Sequence, residues 1–210
     1  MSPWPATPAP PDPFEPRIAT IPADTTLHRV HSNTRTTVEF NSGFGPGGRF
    51  HFFGDPSVPV LYAAATREAA LAETLLRDRV VGDRRPLLRS TYANAVLAGV
   101  SPVRDLQVAQ LYGLGLTQLG VQATELTDTP IDNYPRTRLW AEAAHRLGLD
   151  GIAWMSKRDN STQSYMLFGD RVAGTDLEVV LGSGLLFATG PGYDWLVDVC
   201  RPLGVDVMAR

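Results

Sequence analysis

The sequence predicts an α+β fold, a mixed β-sheet core with flanking helices. Two segments, 67–80 and 136–148, carry the 3.6-residue periodicity of amphipathic helices. Short apolar runs rich in β-branched and aromatic residues recur around them, most clearly at 59–64, 151–155 and 165–168. Strands and helices are mixed without the regular βαβ rhythm of a doubly wound sheet.

The elements follow in order. Residues 1–16 hold seven prolines and read as an extended tail, either lying over the domain or mobile. Residues 1–17 are assigned to this tail and 18–210 to a single domain. The segment 26–30 is a first short strand. A loop rich in Gly, Ser and Asn follows from Asn33 to Gly48, and 49–53 reads as a strand or an extended entry. After the strand at 59–64, Thr66 is an N-cap for the helix at 67–80. Strands are expected at 91–97 and 102–108. The helix beginning near Pro135 has an apolar stripe of Leu139, Trp140, Ala143, Ala144 and Leu147 and stops at Gly148. A polar loop joins the strands at 151–155 and 165–168. A strand at 176–182 and a helix at 193–203 complete the chain.

Composition narrows the function classes. The 210 residues are 43% apolar and 20% charged, ordinary for a globular domain with a sizeable core. A net charge of −3 implies no broad basic surface, which argues against direct nucleic-acid binding. Lys157 is the one lysine among 19 basic residues, so nearly every fixed positive charge is a guanidinium, suited to bidentate phosphate contacts. The single Cys200 excludes an internal disulfide and a thiolate metal cluster. The N-terminus lacks the basic and apolar regions of a signal peptide, and no apolar run reaches the roughly 18–20 residues of a spanning helix. A cytoplasmic protein without membrane contact is the expectation.

Several motifs fail on context. Residues 43–48 spell G-x-G-x-x-G, but Pro46 interrupts them and no helix start follows, so a glycine loop near a pocket is the better reading. The four histidines, His28, His31, His51 and His145, form no H-E-x-x-H pattern, and no metal is expected. There is no G-x-S-x-G elbow. Cys200 falls on an amphipathic segment, where a buried thiol is the usual state.

Four segments together resemble the RES domain family: LHRV at 27–30, GGRF at 47–50, PVLYAAATREAALAET at 59–74, and DGIAWMSKRDNSTQSYMLF at 150–168. The resemblance spans roughly 25–185. It implies an ADP-ribosyltransferase-like fold and, as in toxins of bacterial toxin–antitoxin pairs, consumption of NAD by hydrolysis or phosphorolysis. It also implies a small Xre-like helix-turn-helix antitoxin as partner and leaves room for a homo-oligomer within such a complex. NAD is then a substrate, and no cofactor is implied. The family's pocket residues fall on Arg29, Arg49, Tyr62, Glu73 and Ser156. The sequence departs from the family pattern around Ser156 and at Val30, where several members carry an aromatic residue.

Chemistry gives each residue a role. Arg29 and Arg49 suit the pyrophosphate or the adjacent ribose. Tyr62 offers a ring face to the cationic nicotinamide. Glu73 would stabilise the positive charge that builds on the ribose as the N-glycosidic bond breaks, and Ser156 would orient the ribose or the attacking group. Alanines 69, 70 and 72 would leave room for the ligand beside the helix. All four of Arg29, Arg49, Tyr62 and Glu73 are expected around one dinucleotide-sized hollow. Each also has an ordinary reading: Glu73 paired with Arg77 on a solvated face, Tyr62 as a core tyrosine, the arginines as surface charges, and Ser156 as a turn residue. The resemblance is compatible with protein ADP-ribosylation on the same fold, and a non-catalytic nucleotide- or partner-binding protein is the third alternative.

Overall fold

The computed structural model describes residues 4–77, 79, 82 and 85–209. In chain order the elements are β1 (Ile18–Ile21), β2 (Leu27–Ser32), β3 (Val60–Ala64), α1 (Arg67–Ala72), α2 (Arg89–Tyr92), β4 (Ala95–Pro102), β5 (Leu106–Gln110), α3 (Leu114–Gln118), α4 (Ala123–Leu126), α5 (Tyr134–Arg146), β6 (Gly151–Met155), β7 (Gln163–Phe168), β8 (Leu177–Val179), β9 (Leu185–Leu186) and α6 (Gly190–Cys200). The strands form one mixed sheet in the order β1-β5-β6-β7-β3-β2-β4-β8, with β9 also on β4. Among the described strands β5 and β6 run parallel, and the connection between them carries α3, α4 and α5. The architecture is the α+β mixed sheet that the sequence predicts.

Side-chain alternation along the strands divides the core. Val60, Ile152, Trp154, Met166 and Phe168 meet Trp140, Ala141 and Ala144 of α5. Further along the same face, Ala64 and Leu97 meet Ala69, Ala70 and Leu71 of α1 and Leu196 and Cys200 of α6. The intervening residues Leu27, Leu61, Ala63, Val100, Val108, Ala153 and Leu167 form the core on the opposite face. Trp140, Phe50 and Phe168 are fully buried, each contributing roughly 1.5–3 kcal/mol or more by leaving water.

The helix at 67–80 is much shorter than its periodicity suggests. Thr66 does cap it, its Oγ1 accepting from the Ala69 amide at 3.2 Å. It stops at Ala72, with Glu73 as C-cap. The Thr74 hydroxyl turns back onto the Ala70 carbonyl at 2.8 Å, and the Thr74 amide makes a tighter i→i−3 bond to Leu71. The chain then runs in turns to Arg77, and residues 78 and 80 lie outside the described residues. Ala69, Ala70 and Ala72 are all buried, the first two in the core shared with α6. The small size of Ala69 and Ala70 serves close packing of helix on sheet, while Ala72 borders a separate cavity of about 610 Å³ with Glu68 and Arg158.

Other boundaries move too. Residues 49–53 form no strand. The stretch 91–97 begins in α2 and enters β4 only at Ala95, and within 102–108 β4 ends at Pro102 and β5 starts at Leu106. The strand expected over 176–182 covers Leu177–Val179, and the last helix covers Gly190–Cys200. On α5 the buried set is Thr137, Trp140, Ala141, Ala143 and Ala144, while Leu139 and Leu147 are exposed. The stripe has turned because the proline segment covers the side of α5 that a bare helix would show to water. Trp140 Nε1 donates to the Pro8 carbonyl at 2.9 Å, Asn133 and Arg136 donate to Pro5 and Thr7, and Phe14 packs edge-on against Trp140 at 6.0 Å. Of the two readings of the tail, residues 4–16 take the one that lies over the domain.

Candidate active site

β2 pairs with β3 at a single register, His28 opposite Ala64. Beyond it the two strands part, and Asn41 from the glycine-rich loop pairs with Val60 instead. The sheet is thus split beside Val30 and Tyr62. A cavity of about 190 Å³ opens there, between the helical cores of α5 and α1. Arg49, His51, Tyr62, Glu73, Arg77 and Trp154 are among its lining.

Glu73 reaches the cavity from the end of α1. Its Oε1 accepts two hydrogen bonds from the loop after β6: the Ser156 hydroxyl at 2.7 Å and the Lys157 amide at 2.9 Å. Ser156 is 1% exposed, and its oxygen also accepts from the Asp159 amide at 3.3 Å. Ser156, expected to orient the ribose or the attacking group, gives its hydroxyl hydrogen to the carboxylate here. Lys157 is anchored in turn, with its ammonium 2.5 Å from Asp128 and 5.2 Å from the centre of the Trp4 ring.

Tyr62 stands in the middle of β3. Its ring meets Trp154 and His51 edge-on, at 5.8 and 5.0 Å between centroids. Burial pushes its phenol above the ordinary tyrosine range, and the Glu73 carboxylate adds to the rise. It is a neutral hydroxyl at physiological pH. Arg49 lies 5.9 Å from the Tyr134 ring centre, and its backbone carbonyl accepts from the Thr137 hydroxyl. Its Nε is buried without a hydrogen-bond partner.

Arg29 does not join them. It has the strand parity of Leu27, so its side chain leaves β2 on the face opposite Tyr62. There its Nη1 donates to the carbonyls of Thr37 at 2.7 Å and Glu39 at 3.0 Å. It lines a second hollow of about 200 Å³ with Arg35, Asn41 and Phe44. Val30 borders both hollows. Burial lowers the Arg29 pKa to about 10, so the guanidinium stays charged at neutral pH, and its Nε has no partner. The expectation of a single hollow fails here because strand alternation separates neighbouring side chains.

His51 escaped the sequence reading, which weighed histidines only as metal ligands. It is 8% exposed. Its Nε2 accepts from the Gly48 amide at 3.0 Å, and its Nδ1 lies 2.7 Å from the Tyr62 hydroxyl. Gly48 is required at this approach, since a Cβ there would collide with the imidazole. Burial, helped by the charges of Arg138 and Arg77, lowers the His51 pKa to about 4. Among the described residues no three His, Cys, Asp or Glu side chains gather as a metal would require. Cys200 is buried on α6, and burial raises its thiol pKa to about 11, far from a reactive thiolate.

Fold and site together define an α+β protein whose cleft lies at a split in a mixed sheet, with a carboxylate, a phenol and a guanidinium around it. The RES domain family matches residues 26–187, and the chain belongs to that family. A solved structure with a similar fold is the M. tuberculosis MbcT–MbcA toxin–antitoxin complex, at a TM-score of 0.59 and 16% identity over 77% of this chain and 84% of that one. No curated protein matches the chain. No helix among the described residues is long and apolar enough to cross a membrane.

Proposed function

We propose that this protein is the toxin of a toxin–antitoxin pair and that it cleaves NAD at the bond between nicotinamide and ribose. The observation that carries the reading is the cavity in which Arg49, Tyr62 and Glu73 face one another, with Glu73 held by Ser156. Membership of the RES domain family and the likeness to a complex described as toxin–antitoxin support it.

The two hollows suit an elongated ligand. Each is smaller than the roughly 300–1,000 Å³ of a typical small-molecule site, and together they come into that range. In this reading the nicotinamide riboside end enters the Glu73 cavity. The pyrophosphate passes Arg49 at the split in the sheet, and the adenosine end extends towards Arg29 and Phe44. When the glycosidic bond breaks, its electron pair leaves on the nicotinamide nitrogen and neutralises the ring. The positive charge moves onto the ribose, where the Glu73 carboxylate stabilises it. Water, which releases a proton to solvent, or inorganic phosphate then bonds to the anomeric carbon. The leaving group departs as a neutral molecule, so no strong general acid is needed, and positioning carries most of the effect.

The partner in this reading is a small Xre-like antitoxin that covers the split. The test is product analysis by mass after incubation of the purified, antitoxin-free protein with NAD, with and without phosphate. Free nicotinamide with ADP-ribose marks a glycohydrolase, and ADP-ribose phosphate formed only with phosphate marks a phosphorylase. Label transferred to protein would move the reading to ADP-ribosylation. Intact NAD after long incubation would overturn it.

A further inference from the structure

The network around His51 carries an inference that deepens the proposed reading of this site. A neutral imidazole has one N–H and one acceptor nitrogen. The Gly48 amide can only donate, so Nε2 is the acceptor, at 3.0 Å. The ring proton is therefore on Nδ1, and Nδ1–H donates to the Tyr62 oxygen at 2.7 Å. The depressed pKa keeps the ring in this neutral form. The Nδ1–H contact uses a lone pair of the phenol oxygen and leaves its proton free.

We propose that His51 is a positioning residue that fixes the Tyr62 hydroxyl as a hydrogen-bond donor to an acceptor oxygen of the substrate. The cavity geometry agrees. His51 and Tyr62 both line it, and the T-shaped packing of His51 on Tyr62 and on Phe52, at 5.0 and 4.5 Å, holds the imidazole in place. Without His51 the phenol is free to rotate and to spend its proton on another acceptor.

The test has two arms, one independent of NAD. In the first, nitrogen NMR of labelled wild-type protein reads the His51 ring at pH 7. The expected result is the Nδ1-protonated tautomer. An Nε2-protonated or doubly protonated ring overturns the proposal. In the second, kcat and KM for NAD are measured for His51→Ala, His51→Asn, Tyr62→Phe and the double variant His51→Ala with Tyr62→Phe. His51→Ala is expected to lower kcat about 10-fold, the value of one hydrogen bond, with little change in KM. His51→Asn, whose carboxamide N–H overlays Nδ1, restores most of the loss. The double variant is no slower than Tyr62→Phe alone. Additive losses, or no rescue by a folded His51→Asn, overturn the proposal. If wild-type protein leaves NAD intact, the NAD reading fails, and the tautomer alone decides on His51.

Discussion

Ser156 donates its hydroxyl hydrogen to Glu73 Oε1 at 2.7 Å across 83 residues of sequence. This bond joins the end of α1 to the loop after β6, and with the Lys157 amide it fixes the carboxylate at the edge of the cavity. Hydrogen bonds to charged groups are worth about 1.5–3 kcal/mol. Ser156→Ala is therefore expected to slow NAD consumption roughly 10- to 100-fold with unchanged circular dichroism. Steady-state kinetics check this. An unaltered rate would show that Glu73 needs no support from the serine.

The pH behaviour follows from His51. Its pKa is lowered to about 4 in the folded protein, against 6.5 when unfolded. Between those values the unfolded chain binds the proton and the folded one does not. Stability is thus complete above pH 6.5 and declines as pH falls towards 4, by about 3 kcal/mol in all. Urea titrations at pH 7.5 and 4.5 should show the loss in wild type and a smaller loss in His51→Asn. The same shift predicts that His51 adds no limb near pH 6.5 to the pH–rate profile.

Much of the fold was legible in the sequence because it rests on local chemistry. The strands expected at 59–64, 151–155 and 165–168 and the α5 helix announce themselves by β-branched and aromatic runs and by helical spacing. The length of α1 was not legible, because its alanines continue the periodic pattern while the Thr74 hydroxyl and the packing of α1 on the sheet end the helix. Arg49, Tyr62 and Glu73 could be picked out by resemblance, and they do meet. Arg29 was misplaced because the face a strand residue takes depends on register, and the register of β2 against β4 is set by residues some 70 positions away. His51 was missed because its meaning lies in the Gly48 amide and the Tyr62 hydroxyl, which only the folded loop brings to its two nitrogens.

The proline segment has a stability role. It covers Trp140, supplies the acceptor for its indole N–H, and packs Phe14 against it. Deleting residues 1–16 exposes an indole that is fully buried in the whole chain. A loss of about 3 kcal/mol in unfolding free energy is expected, read by urea titration. A truncated protein as stable as the full chain would show that this contact contributes nothing.

Asp150 is a second structural anchor. It takes a two-pronged contact from Arg104, at 2.8 and 3.2 Å, and the Gln107 amide at 2.8 Å, joining the starts of β5 and β6. Asp150→Ala leaves the Gln107 amide without its partner. It is expected to cost about 2 kcal/mol and to lower the Tm without changing kcat per folded molecule.

The central claim is that Glu73 stabilises charge on a ribose losing nicotinamide. The direct measurement is the rate of nicotinamide release from NAD by purified wild-type and Glu73→Gln proteins at equal folded concentration. The account predicts steady release by the wild type and a rate at least about 100-fold lower for the variant. No release by the wild type, or equal release by the two proteins, would contradict it.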